Sequence, residues 1–152
     1  VALVGGDTTR GPLSLCVTAH GLVEPRAALR RSAARPGDDV WVTGTLGDAA
    51  AALRQWQAGA GQAEGARDAA LRARLDRPTP RVAAGRALLG IAHGCIDVSD
   101  GLLADLGHIC ATSGVRAEIE IDALPASAVL RAAFAGDGLR PLHAPGGDDY
   151  VL

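Results

Sequence analysis

Cys95–Leu106, CIDVSDGLLADL, changes its hydrophobic period halfway along. As far as Val98 it reads as a short apolar strand. Beyond the Ser99-Asp100-Gly101 turn, Leu102, Leu103, Leu106, Ile109 and Cys110 recur as the stripe of an amphipathic helix, with Asp105 and His108 expected to face outward. A strand that turns through glycine into a helix is the building unit of layered α/β and α+β folds. This stretch also crowds two carboxylates, Asp97 and Asp100, into the turn itself.

The flanking sequence keeps the same alternation. Upstream, RPTPRVAAGRALLGI opens on prolines suited to a helix N-terminus. Before it, DDVWVTGTLGDAAAALRQWQ reads as a strand, a Gly-bounded turn and an Ala-rich helix beginning near Asp48, followed by a variable loop or loosely packed helix over 58–76. EPRAALRRSAARPGD predicts a short helix stopped at Arg35-Pro36-Gly37. Near the start, Leu13, Leu15, Val17 and Ala19 alternate with Ser14, Cys16, Thr18 and His20, the period of a half-buried strand. Downstream, AEIEIDALP predicts a strand with Ile119 and Ile121 on one face, ASAVLRAAFAG a helix, and HAPGGDDYVL a glycine turn into a strand. The class expected is α/β (α+β), with a boundary at the Pro36-Gly37 connector: residues 1–34 as the end of one domain and 35–152 as a second.

At 152 residues, 48% of them hydrophobic and 21% charged, the chain has the composition of a globular protein, in one domain or parts of two. Trp41, Trp56, Phe134 and Tyr150 are its only aromatics, so the core must be aliphatic. A net charge of −2 argues against a nucleic-acid partner, which selects a basic face. No apolar run approaches the ~20 residues that span a bilayer, and no basic amphipathic run suggests a membrane surface. Cys16, Cys95 and Cys110, without CxxC spacing, read as reduced thiols of a cytoplasmic protein. The opening VALV and the closing DDYVL both look like strands cut from a longer polypeptide.

Three glycine-acid stretches carry the candidate chemistry. In the extended part of CIDVSDG, Asp97 and Ser99 share a side. With the helix beginning at Asp100, that carboxylate sits beside free N–H groups that favour anions. One aspartate suffices for an N-cap; two close carboxylates repel unless a cation lies between them. Mg²⁺, a hard ion held by one or two carboxylates while phosphates and water complete its shell, suits them. Capping and cation binding both remain open from the residues alone. In VGGDTT, Gly5 and Gly6 allow close backbone approach to a phosphate; the plainer alternative is a turn in which Asp7 bonds its own backbone. PGGDDY places Asp148 and Asp149 after a glycine turn, by themselves a solvated acidic pair. TGTLGDA reads as structural. The chain contains no lysine, so a GxxxxGK[ST] phosphate loop is excluded, and GxSxG and HExxH are absent. Any phosphate bound here must be met by arginine and Mg²⁺.

Taken in order, GGDTT, LRRSAARPGDDVWVTGTLGDAA, RPTPRV, IDVSDGLLADLGHI and GGDDY resemble the thiamine-monophosphate kinase family. That family sits in the ATP-binding superfamily that also holds aminoimidazole ribonucleotide synthetase, selenophosphate synthetase and a hydrogenase-maturation protein. The resemblance implies ATP-dependent phosphorylation of thiamine monophosphate to thiamine diphosphate without a phosphoenzyme, with several Mg²⁺ ions, in a homodimer whose N-terminal ATP-binding domain precedes an α+β domain. It implies that Gly6 and Asp7 meet ATP, Asp7 also binding Mg²⁺; that Arg31 contacts nucleotide phosphates; that Asp97 and Asp100 hold further Mg²⁺, Asp100 being catalytic; and that Ser99 hydrogen-bonds ATP. Asp148 is expected at the thiamine substrate, where the family usually has Glu, and Val151 stands where the family has an acidic residue. Nothing resembles the family's GDDxA-type motif or its C-terminal aromatic stretch, so a fragment is expected. The alternatives are a sibling synthetase or maturation enzyme, or a non-catalytic nucleotide-binding module.

Overall fold

The computed structural model describes residues 2–59, 66–134, 138, 142, 144–147 and 149–152. Five α-helices form among them: α1 (Asp48–Gln57), α2 (Ala66–Asp76), α3 (Val82–Ala87), α4 (Leu102–Ser113) and α5 (Ala128–Ala133), with a 3₁₀ turn at Ile121–Ala123. The alanine run of α1 combines high helix propensity with a narrow face, which lets α2 pack closely against it. Ala51 and Ala52 of α1, Leu71 of α2, Leu130 of α5 and Leu142 make one apolar cluster. Across the same pair of helices, the Arg72 guanidinium lies 5.4 Å from the Trp56 ring centroid and its Nε is 2.7 Å from Asp76. Ser127 caps α5 by accepting from the Leu130 amide at 3.0 Å.

A second cluster lies under the turn that opened the sequence. Val98 and Leu102 pack with Leu46, Leu124, Ala144 and Val151, and Val42 and Ile119 lean on them. Here extended segments pair one or two residues at a time: Val98 N–H donates to Val151 O at 2.8 Å, Tyr150 N–H to Val98 O at 3.0 Å, and Thr43 N–H to Leu152 O at 2.8 Å. An isolated parallel bridge joins Arg30 and Gly94. The sequence-predicted strands are therefore extended connections, with no ladder among the described residues.

Two expectations change. EPRAALRRSAARPGD does not form a helix: Arg26 takes φ 69° in a turn closed by Ala27 N–H to Glu24 O, and the segment runs on to pair with Gly94. Docking on the Gly94 segment outweighs the helix propensity of Ala28, Leu29 and Arg30. In AEIEIDALP, Ile119 packs on the core as expected, but the 3₁₀ turn begins at Ile121 and leaves that side chain exposed. The segment over 2–23 forms no helix or strand, bends at 10–12 and is exposed throughout, its alternating residues facing solvent.

Candidate functional site

The Asp97–Gly101 turn begins on a segment held in place by backbone pairing. Val98 is buried and bonded on both sides of its peptide to the 150–151 segment, so the chain enters the turn at a set place. Helix α4 starts at Leu102 with Gly101 as its N-cap, two residues later than the Asp100 start the sequence suggested. Gly101 has no side chain to cap the helix, and Asp100 makes no cap hydrogen bond. The capping is done by Asp105. Its Oδ2 accepts from the amides of Ser99 (2.9 Å), Asp100 (3.0 Å) and Gly101 (3.2 Å). Asp105 is 4% exposed, which overturns its expected outward position. It stands three residues from Leu102 and thus shares its inward face, where the amides of the preceding turn and of the N-cap glycine meet the carboxylate.

The other side of the turn is pressed by the glycine loop. A Cβ at Gly101, whose φ is 120°, would overlap the Pro145 carbonyl, and one at Gly147 would overlap the Ser99 carbonyl. Leu103 N–H donates to Ala144 O at 3.1 Å. The PGGD loop and the SDG turn are thus one packed unit. Asp148 lies outside the described residues; Gly147, the residue before it, is the one that packs on Ser99.

Asp149 is not the solvated residue its sequence context suggested. It is 1% exposed, and its carboxylate accepts from Gly47 N–H at 2.6 Å and Ala49 N–H at 3.4 Å, at the N-terminus of α1. Burial pushes its pKa up to about 6, against the lowering effect of those two amides; the charge of Asp48 adds to the rise and Arg74 opposes it. Asp48, also buried, accepts from Ser127 Oγ (2.6 Å) and Thr45 Oγ1 (3.1 Å), with Arg74 Nε at 3.7 Å. This agrees with a structural reading of TGTLGDA. Burial raises the Cys95 thiol, which keeps it protonated and a poor nucleophile.

With capping assigned to Asp105, Asp97 and Asp100 are exposed carboxylates with no side-chain hydrogen bond or ion pair to another described residue, and Ser99 between them is half-buried. Two hard oxygen donors in a rigid turn suit Mg²⁺ in chemistry. Among the described residues no group of three His, Cys, Asp or Glu side chains that could hold a metal forms, so the turn offers two ligands and the rest of a shell must come from phosphate, water or other parts of the protein. The remaining expected residues stand apart from it. Asp7, on the exposed 2–23 segment, accepts from its neighbour Thr8 N–H at 2.7 Å, and Gly6 is in open space. The Arg31 carbonyl accepts from Thr112 Oγ1 and Ser113 Oγ, each at 3.0 Å, at the C-terminal end of α4. A 12-residue helix is ~18 Å long, so its backbone is held at the far end from Asp100. Sequence reading missed Asp105 and Asp149; the signal available for both was a glycine at a helix N-cap, which leaves amide donors for some other carboxylate.

Residues 35–144 match the family model described as AIR synthase related protein, C-terminal domain. The chain belongs to the AIR synthase-related family. Among its relatives is the thiamine-monophosphate kinase of Salmonella typhimurium, 48% identical over 151 residues, which are 99% of this chain and 46% of that protein. The crystal structure of thiamine-monophosphate kinase from Stenotrophomonas maltophilia K279a superposes with a TM-score of 0.79 at 54% identity, covering 83% of this chain and 41% of that one. AaThiL complexed with AMPPCP and TMP superposes with a TM-score of 0.73 at 34% identity, covering 81% and 40%. This chain therefore has the AIR synthase-related C-terminal domain expected of it and spans about half the length of the curated relatives it matches. No helix among its described residues is long and apolar enough to cross a membrane.

Proposed function

We propose that the protein containing this chain transfers the γ-phosphoryl group of ATP directly to thiamine monophosphate, giving thiamine diphosphate and ADP. The observation that carries the reading is the division of labour at the SDG turn: Asp105 accepts from the turn's three backbone amides, which leaves the Asp97 and Asp100 side chains available to a ligand. The kinship with thiamine-monophosphate kinases, one relative holding AMPPCP and TMP, supplies the substrate pair.

The chemistry asks for positioning and charge compensation. Phosphoryl transfer passes through a loose transition state with its charge on the γ-phosphoryl oxygens. The acceptor is a phosphate oxygen, ionised near neutral pH, so no strong general base is needed. Bound Mg²⁺ would offset the repulsion between the two phosphate groups. In this reading Asp97 and Asp100 hold the cation, the Ser99 hydroxyl donates to ATP, and Asp148 meets the thiamine substrate. Gly6, Asp7 and Arg31 complete the nucleotide site in a polypeptide of the relatives' length. Residues 1–34 then end an ATP-binding domain and 35–152 form most of the second. A homodimer in the cytoplasm completes the reading, in keeping with three free thiols.

The 152-residue chain by itself favours a second reading, binding without turnover, since its described residues gather fewer than three metal ligands. Incubation of the polypeptide at the relatives' full length with Mg-ATP and thiamine monophosphate decides between them. Mg²⁺-dependent thiamine diphosphate and ADP are expected. A folded, ATP-binding protein that makes no thiamine diphosphate would overturn the kinase reading in favour of a sibling activity or a binding module.

A further inference from the structure

We infer that Asp105 is a positioning residue of this site: its carboxylate fills the amide nest at the start of α4 from within and fixes the backbone on which Asp97, Ser99 and Asp100 are presented. The inference rests on the phosphoryl-transfer reading and adds to it how the turn meets its ligands. Three consecutive peptide N–H groups converging on a point form a concavity that ordinarily receives an anion such as a phosphate. Here the anion is supplied by the chain, since Ser99, Asp100 and Gly101 all donate to one oxygen, Asp105 Oδ2, at 2.9–3.2 Å. Those amides are occupied, so the turn engages ATP through its side chains and the cation they hold, and its backbone does not cradle a phosphate.

The arrangement exceeds what a cap requires. One accepted hydrogen bond satisfies an N-cap, and the position on the inward face beside Leu102 would favour an apolar side chain. A buried carboxylate with no cation in contact among the described residues carries a desolvation cost. The three amide donors and the helix N-terminus offset it. What this arrangement adds is rigidity. Asp105 holds the turn from the helix side and Pro145 and Gly147 press on it from the other, so the peptide planes of residues 99–101 have one arrangement.

The test uses the polypeptide at the relatives' full length and Mn²⁺ as a spectroscopic stand-in for Mg²⁺. Mn²⁺ binding is followed by electron paramagnetic resonance, together with the Mg²⁺ dependence of thiamine diphosphate formation. Asp105→Asn keeps the shape and removes the charge; Ile109→Ala, on the same helix but away from the turn, is the control for lost stability. Losing an outer partner of a metal ligand weakens affinity by roughly 10- to 100-fold. Asp105→Asn is expected to weaken Mn²⁺ by that factor and to raise half-saturating Mg²⁺ in step, while Ile109→Ala leaves both near wild type. Should Asp105→Asn not fold, Asp105→Glu keeps the charge and moves it by one methylene, and weakened Mn²⁺ binding is again expected. Wild-type Mn²⁺ affinity in a folded Asp105 variant, or an equal loss in Ile109→Ala, overturns the inference. A wild-type protein that binds Mn²⁺ but makes no thiamine diphosphate overturns the kinase reading alone, and Asp105 is then judged on Mn²⁺ affinity. Wild type that binds no Mn²⁺ overturns both.

Discussion

Burial separates four aspartates of this chain, Asp97 and Asp100 from Asp105 and Asp149. Asp100 is exposed and lies outside α4. Asp100→Asn in the full-length protein should change stability by no more than about 0.5 kcal/mol, as exposed substitutions do, while most thiamine diphosphate formation is lost; unchanged turnover would remove it from the site. Asp97 shares its exposure and its proposed task, and Asp105 serves them both from below. Asp149 behaves oppositely, being buried with a folded-state pKa of about 6 against the ordinary 3.8. A carboxyl raised on folding binds its proton more tightly in the native state, so its contribution is fully present below about pH 4 and is lost as pH rises through about 6. The loss is about 3 kcal/mol across that window, at 1.36 kcal/mol per pKa unit. Asp149→Asn cannot titrate, so wild type should lose stability relative to the variant between pH 4 and pH 7. Urea unfolding at several pH values reads this difference, and parallel curves would contradict the assignment.

At the level of elements, two helices that carry a glycine as N-cap have that glycine's amide bonded by a carboxylate: α4 by its own Asp105, α1 by Asp149 about a hundred residues away. The backbone of Gly101 (φ 120°) meets the Pro145 carbonyl where a Cβ would sit. Gly101→Ala should therefore cost about 1–3 kcal/mol from backbone strain before the overlap is counted. Gly107→Ala, inside the same helix with open space beside it, should stabilise by about 0.5–1 kcal/mol. Thermal unfolding of the two variants, with shifts of opposite sign, checks this reading of the turn. The helical half of the fold was legible because propensity and period agree there: the alanines of α1 and the Leu102–Leu106–Ile109 stripe of α4 name their own elements. Asp97, Ser99 and Asp100 were legible as a group because two carboxylates and a glycine at a helix start have few uses. The inward aspartates were not: Asp105 in a helical pattern reads as outward, and Asp149 after a glycine turn reads as solvated, until the donors that receive them are known. The EPRAALRRSA segment was misread for the converse reason: its local preference is helical, and its pairing with Gly94 is set by tertiary contact.

For the molecule as a whole, the decisive asymmetry is between the two packed clusters and the segment that precedes them. Leu13, Leu15 and Val17 are 92%, 87% and 93% exposed and spaced by two in the sequence. In a strand that spacing puts all three on one face, and a stripe of this kind is what a neighbouring strand or sheet covers. The matched relatives are about twice the length of this chain, and the proposed reading gives residues 1–34 to a domain most of which lies in that additional length. Asp7 shares the segment, so covering the stripe and delivering Asp7 to the nucleotide would be one event. The 152-residue chain and the full-length protein should then respond differently to the same change. Val17→Asp should alter the stability of the 152-residue chain by no more than about 0.5 kcal/mol, since the side chain there is already in water. In the full-length protein it should cost at least about 1.5–3 kcal/mol, the contribution of burying a valine, with the uncompensated charge in addition. Chemical denaturation of the four proteins, with and without the substitution at each length, measures that difference. A cost equal at both lengths would mean that the stripe stays in solvent, and Asp7 would need another route to the site.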